Sequence, residues 1–175
     1  MMRWKGVHNT LTTANPPHLF LNTHPSELLG PDLIESMQQL RELNPRQTLT
    51  LEIHEAAVTQ PADIKEFRRE LNELNIGLAF DDFGAGQARL SELFEGLPNY
   101  LKFDMSLIRD IDQNPLRQNL IRTFVKFAES IPSKVIAEGV ETENERNCLI
   151  DLGCHFLQGY YFARPGPPFP RIASR

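Results

Sequence analysis

The sequence has little cysteine: Cys148 and Cys154 are the only two thiols in 175 residues. Two cysteines six positions apart make neither a disulfide framework nor a zinc-ligand spacing, and they read as free buried thiols of a reducing compartment. No apolar run approaches the ~18 residues that span a bilayer, and the N-terminus has no signal-peptide pattern. These absences predict a cytoplasmic chain that makes no membrane contact. The five histidines, His8, His18, His24, His54 and His155, never fall into an H-x-x-x-H spacing and read as surface or core residues. Positive charge is not in surplus either. Lys and Arg number 18 against 23 Asp and Glu, for a net charge of -5 and a pI near 5.5. That balance excludes a general surface for nucleic-acid polymers. It still allows a phosphate-bearing small molecule, provided metal ions or a few placed cations supply local positive charge.

What is present is ordinary in composition and regular in pattern. The chain is 41% hydrophobic and 23% charged, as expected of a globular protein, and its length fits one domain. Short apolar runs stand at His18–Thr23, Thr48–Ile53, Gly77–Asp82, Tyr100–Asp104, Lys134–Glu138 and Cys154–Tyr160. Between them lie five stretches of helical character. Leu33, Ile34, Met37, Leu40 and Leu43 share a helical face, as do Ile64, Phe67, Leu71 and Leu74, and again Leu120, Ile121, Phe124, Val125 and Ala128. Asn114-Pro115 predicts an N-cap followed by proline at the first helical position, and Thr142 with Glu145 predicts a capping box. Strands alternating with helices imply parallel β-α units, in a doubly wound sheet or a closed barrel. Nearly every strand ends in a polar or charged residue, which favours a barrel with chemistry at the C-terminal ends of its strands. A whole eight-stranded barrel takes at least ~200 residues, so about two strands are expected to be missing, at the front.

The strand ends carry the chemistry. They are Asn22, Glu52, Asp81 with Asp82, Lys102 with Asp104, Glu138 and Gln158. A single carboxylate at a strand end is often a helix cap or the partner of a surface cation. Several converging on one volume would repel each other unless cations offset them. Oxygen ligands without paired Cys or His favour Mg²⁺, Mn²⁺ or Ca²⁺, and adjacent Asp81-Asp82 could bridge two ions. Lys102 is then a cation beside a reacting phosphate, or a group that helps activate the attacking water. Two metals and a lysine describe in-line hydrolysis of a phosphodiester. Gly84-Ala85-Gly86 lacks the third glycine of a dinucleotide fingerprint and reads as a tight loop. Tyr160 and Tyr161 could pack, or stack on a base at the barrel mouth.

Taken in order, Leu19-Phe20-Leu21-Asn22, Leu51-Glu52-Ile53-His54-Glu55, Asp81-Asp82-Phe83-Gly84-Ala85-Gly86, Leu101-Lys102-Phe103-Asp104, Glu138-Gly139-Val140-Glu141-Thr142 and Gln158-Gly159-Tyr160-Tyr161-Phe162 resemble the motifs of the EAL domain family of cyclic-di-GMP phosphodiesterases. The resemblance implies an α/β fold, a TIM-like (β/α)₈ barrel with about six of its eight strands here. It implies residues 1–17 as a remnant of helix and loop, 18–168 as a partial EAL domain and 169–175 as a tail. It also implies a metal-dependent hydrolase of bacterial second-messenger signalling that opens cyclic di-GMP to linear pGpG with two Mg²⁺ or Mn²⁺ ions. By position, Asn22, Glu52 and Asp81 would hold one metal, and Asp81, Asp82 and Glu138 would serve the other. Lys102 would support the hydrolytic water. Glu55 resembles a glutamate that steadies the loop after Asp82, a loop linked to dimerisation, so a homodimer through that loop is expected. Glu141 resembles a further catalytic residue, and Gln158 and Asp104 resemble substrate-side residues.

Two departures from the family pattern stand out. The naming Glu-Ala-Leu segment, whose glutamate is a metal ligand, is absent, because only 21 residues precede Asn22. Arg3-Trp4 is similar to the Arg-Trp after that segment but lies too close to Asn22, and Met1–Val7 reads as the end of a helix. Ala85 stands where the family has Thr or Ser. The alternatives to an active hydrolase are a non-catalytic cyclic-di-GMP receptor or interaction module, and a fragmentary reading frame.

Overall fold

Strands flanked by helices on one side must hide that side completely, and the outward-facing residues here are almost all large and apolar. The computed structural model describes residues 2–11, 15–28, 30, 32–54, 61–85 and 96–166. Along the chain these form α1 (Met2–Thr10), β1 (Leu19–Asn22), α2 (Pro25–Leu28), α3 (Asp32–Leu43), β2 (Leu49–His54), α4 (Pro61–Glu73), β3 (Gly77–Phe83) and β4 (Tyr100–Phe103). They continue as α5 (Met105–Ile108), a 3-10 turn (Ile111–Gln113), α6 (Pro115–Glu129), β5 (Lys134–Ala137), α7 (Glu143–Asp151) and β6 (Phe156–Leu157). All six strands are parallel and pair in sequence order, β1 to β6. A doubly wound sheet reverses its strand order at a switch point. No reversal occurs among these strands, so the winding is that of a barrel.

Ring contacts reveal the curl of the sheet. In a flat sheet β1 and β4 would lie about 14 Å apart, at roughly 4.8 Å per strand. Phe20 on β1 nevertheless meets Tyr100 on β4 with ring centroids 5.1 Å apart, and Tyr100 meets Phe156 on β6 at 6.1 Å. The sheet therefore wraps round an inner face. Leu21, Leu51, Ile53, Leu78, Phe80, Leu101, Phe103, Val135 and Ala137 point the other way and are buried. They share one core with Met37 and Leu40 of α3, Leu71 of α4, Ile121 and Val125 of α6, and Leu149 of α7.

The six strands lie where the apolar runs predict, most of them trimmed at their ends. The sixth is shortest, because Gln158 leaves the regular ladder: its N–H donates to Ala137 O and its carbonyl accepts from Val140 N–H. Both helix starts follow their local chemistry. Asn114 Oδ1 accepts from Arg117 N–H before Pro115, and Thr142 and Glu145 form a reciprocal capping box. The stretch between β3 and β4 falls mostly at 86–95, outside the described residues, as does the expected tail at 169–175. Both cysteines are free and half-buried, and burial pushes the Cys154 thiol up to about 12. No helix among the described residues is long and apolar enough to cross a membrane.

Gly159 lets the chain after β6 lie against the loop after β5. A Cβ there would overlap the backbone N, C and O of Val140, atoms that cannot swing aside. Gly159→Ala is therefore expected to cost about 1–3 kcal/mol, the usual range for overpacking, as a lower urea midpoint with unchanged m-value.

Candidate active site

Period-2 geometry places Asn22, Glu52, His54, Asp81 and Lys102 on the inner face at the carboxyl ends of their strands, with Glu138 one residue beyond β5. The register supports this: Asn22 pairs with Glu52, His54 with Asp81, and Lys102 with Ile136. The aromatic cluster of His18, Phe20 and Tyr100 fills the opposite, amino-terminal end of the same face. Lys102 lies at the centre of the charged end. Its Nζ is 2.6 Å from Glu52 Oε1, 2.8 Å from Asp81 Oδ1 and 3.0 Å from Glu138 Oε1. Lys102 and Glu52 are buried, at 4% and 5% exposure.

Asp82 reaches the same volume through a backbone irregularity. Strict alternation would send Asp81 and Asp82 to opposite faces of β3. Instead Phe80 pairs with Leu101 and Phe83 with Phe103, so β3 spends one residue more than β4 over this interval. The extra residue of this bulge is Asp82, left-handed at φ 57°. Phe83 thereby returns to the helix side, 5.0 Å from the Phe124 ring, while both aspartates stay on the inner face. Carboxylate oxygens of Asp81, Asp82 and Glu138 lie within 4.8 Å of one another. His54 Nε2 stands 3.1 Å from Asp82 Oδ2. A cavity of about 590 Å³ opens beside Asn22, Glu52, His54, Asp81 and Asp82.

The remaining sequence candidates are placed differently. Asp104 is the N-cap of α5, with Oδ1 accepting from Ser106 N–H at 2.9 Å, and its charge reaches Asp82. Glu141 is held outside the lysine cluster by Arg109, 2.7 Å away. Gln158 is exposed beyond β6. Glu55 and residues 86–95, where a dimerisation loop is expected, lie outside the described residues. Composition and spacing do not point to His54 as a site residue, and they mark Glu145 only as a helix cap. His54 could have been found as the residue two beyond Glu52 on the same strand face. Glu145 is almost fully buried and accepts backbone N–H bonds from Asp110, Glu141 and Thr142, which ties down the loop that carries Glu138.

One ammonium faces four carboxylates in this cluster. Burial pushes Glu52 up against the pull of Lys102, with Asp81 and Asp82 adding to the rise. Burial and the neighbouring Asp81 raise Asp82, with His54 opposing. Burial opposes the charge of Lys102, but Glu52 and Glu138 overcome it and hold the ammonium above its ordinary range. Lys102 is thus a fixed cation and not a proton acceptor near neutral pH. The surplus of negative charge, all from hard oxygen donors, fits a divalent cation.

Burial also raises Glu138 from 4.5 to about 7. Between those values the folded, cation-free chain keeps a proton that the unfolded chain has released, so stability falls as pH rises through that window. Comparing urea midpoints across it, Glu138→Gln is expected to flatten the slope; an equal slope in parent and variant would contradict the assignment. Lys102→Met leaves the buried carboxylates without their counter-charge. It is expected to cost about 3–5 kcal/mol at pH 8 and less at pH 5, where the carboxylates take up protons.

Comparison with known proteins places this geometry in a family. The EAL domain model matches residues 3–165. The Cyclic di-GMP phosphodiesterase RocR of Pseudomonas aeruginosa is 36% identical over 157 residues, which are 88% of this chain and 40% of RocR. The manganese/cy-diGMP complex of Klebsiella pneumoniae BlrP1 superposes with a TM-score of 0.80 at 31% identity, covering 91% of this chain and 42% of that one. The EAL domain of Mycobacterium smegmatis DcpA gives 0.79 at 27% identity, covering 93% and 72%. The chain thus spans less than half the length of RocR and of BlrP1. A match over nearly the whole sequence, on a sheet wound in barrel order, makes this chain a member of the EAL domain family.

Proposed function

We propose that the chain carries the site of a cyclic-di-GMP phosphodiesterase that opens the cyclic dinucleotide to linear pGpG with Mg²⁺ or Mn²⁺. The observation that carries this reading is the cluster of Glu52, Asp81, Asp82 and Glu138 round Lys102 at the strand ends. The names of RocR, a cyclic di-GMP phosphodiesterase, and of BlrP1, in complex with manganese and cyclic di-GMP, support the substrate and the cation.

In this reading Asn22, Glu52 and Asp81 would hold one cation, and Asp81, Asp82 and Glu138 would serve the other, directly or through water. Bound there, divalent cations would polarise the phosphodiester oxygens and acidify a water. The residues of the chain do the rest. Glu138 gives up its proton as the site fills, so cation affinity rises with pH through about 7. Lys102 would orient the attacking water and offset charge that develops on the phosphate. A water oxygen bonds to phosphorus, one ring P–O ester bond breaks, and the leaving ribose oxygen takes a proton.

The test is incubation of the purified chain with cyclic di-GMP and Mn²⁺ or Mg²⁺, followed by chromatography of the nucleotides. Linear pGpG is expected, with turnover about 10²–10³-fold lower in Lys102→Met, the range for loss of one preorganised donor. Absence of pGpG with either cation, even after a Glu-Ala-Leu segment is restored ahead of Asn22, would overturn the proposal, and tight cyclic-di-GMP binding without hydrolysis would instead favour a receptor.

A further inference from the structure

His54 ends β2 as the register partner of Asp81, two residues beyond Glu52 and on the same inner face. Its Nε2 lies 3.1 Å from Asp82 Oδ2. Asp82 needs such support. Its backbone is left-handed, it is the extra residue of the bulge, and no regular ladder bond fixes where its side chain points. Its carboxylate is 38% exposed, and among the described residues His54 is the one side chain recorded within hydrogen-bonding reach of it. The other acids of the cluster differ, because Glu52, Asp81 and Glu138 are each held by Lys102. Lys102 orients three acids and His54 orients the fourth.

We propose that His54 is a positioning residue for the cation site, a role not assigned to any residue at this place in the proposed mechanism. Its Nε2–H donates to Asp82 Oδ2 and fixes the carboxylate of a strained residue, which would hold it in place for a cation shared with Asp81 and Glu138. The inference rests on the cation reading given under Proposed function. A hydrogen bond from a neighbouring donor commonly governs metal affinity by 10–100-fold. Sequence gives the reason for choosing histidine: Nε2 stands far enough from the backbone to cross from the end of β2 to the bulge of β3. Glutamine carries its Nε2 donor at a similar reach, whereas alanine has none.

The test is Mn²⁺ binding alone, by calorimetry and by the loss of the free-ion electron paramagnetic resonance signal, on the full 175-residue chain. Urea midpoints of the cation-free proteins monitor folding. His54→Ala is expected to weaken Mn²⁺ binding about 10–100-fold with its urea midpoint near that of the parent, and His54→Gln to recover most of the loss. Parent-like affinity in His54→Ala would overturn the inference while leaving the cation site standing. Loss in His54→Gln equal to that in His54→Ala would also overturn it, because the donor would then be irrelevant. A parent chain that binds no Mn²⁺ would overturn the cation reading itself, and this inference with it.

Discussion

The site depends on one residue with a left-handed backbone. Asp82, at φ 57°, adds a residue to β3 and cancels the alternation that would turn its side chain toward the helices. A left-handed, non-glycine residue costs on the order of 1–2 kcal/mol, less for aspartate than for most, and it persists where surroundings enforce it. Here the enforcement comes from both sides. Phe83 is drawn into the aromatic contacts with Phe103 and Phe124, and Leu78 and Phe80 are buried before the bulge. The core thus holds the chain on each side of two aspartates and leaves both facing inward.

Electrostatics follow from that placement. Four carboxylates round one lysine are not balanced within the cluster, so burial and mutual repulsion raise Glu52, Asp82 and Glu138 together. The lysine is correspondingly locked in its charged form. Such an arrangement stores its own demand for added positive charge. A cation that satisfies it releases protons and relieves repulsion at once, which couples occupancy to pH and to folding. On the proposed function, the acidic chain would meet a phosphate substrate through a local site and not through its net charge.

Much of this was legible in the residues. The alternation of apolar runs and helical faces located all six strands, and the caps at Asn114 and Thr142 follow directly from side-chain chemistry. The order of polar strand ends pointed to Glu52, Asp81, Lys102 and Glu138 as one cluster. The bulge was not legible, because period-2 reasoning separates Asp81 from Asp82 and only the register of β3 against β4 reunites them. His54 has no histidine at a ligand spacing, and only its place two residues beyond Glu52 on one strand face marks it. The motif groups Glu141 with the site, and in the structure it pairs with Arg109, far from it in sequence. Tertiary partners of that kind leave no local mark.

The most direct measurement is anomalous diffraction at the manganese edge from crystals of the chain grown with Mn²⁺. The account predicts anomalous density bounded by the carboxylates of Asp81, Asp82 and Glu138, with both aspartates still on the inner face. Density elsewhere, or Asp82 turned toward the helices with no ion between these three residues, would contradict it.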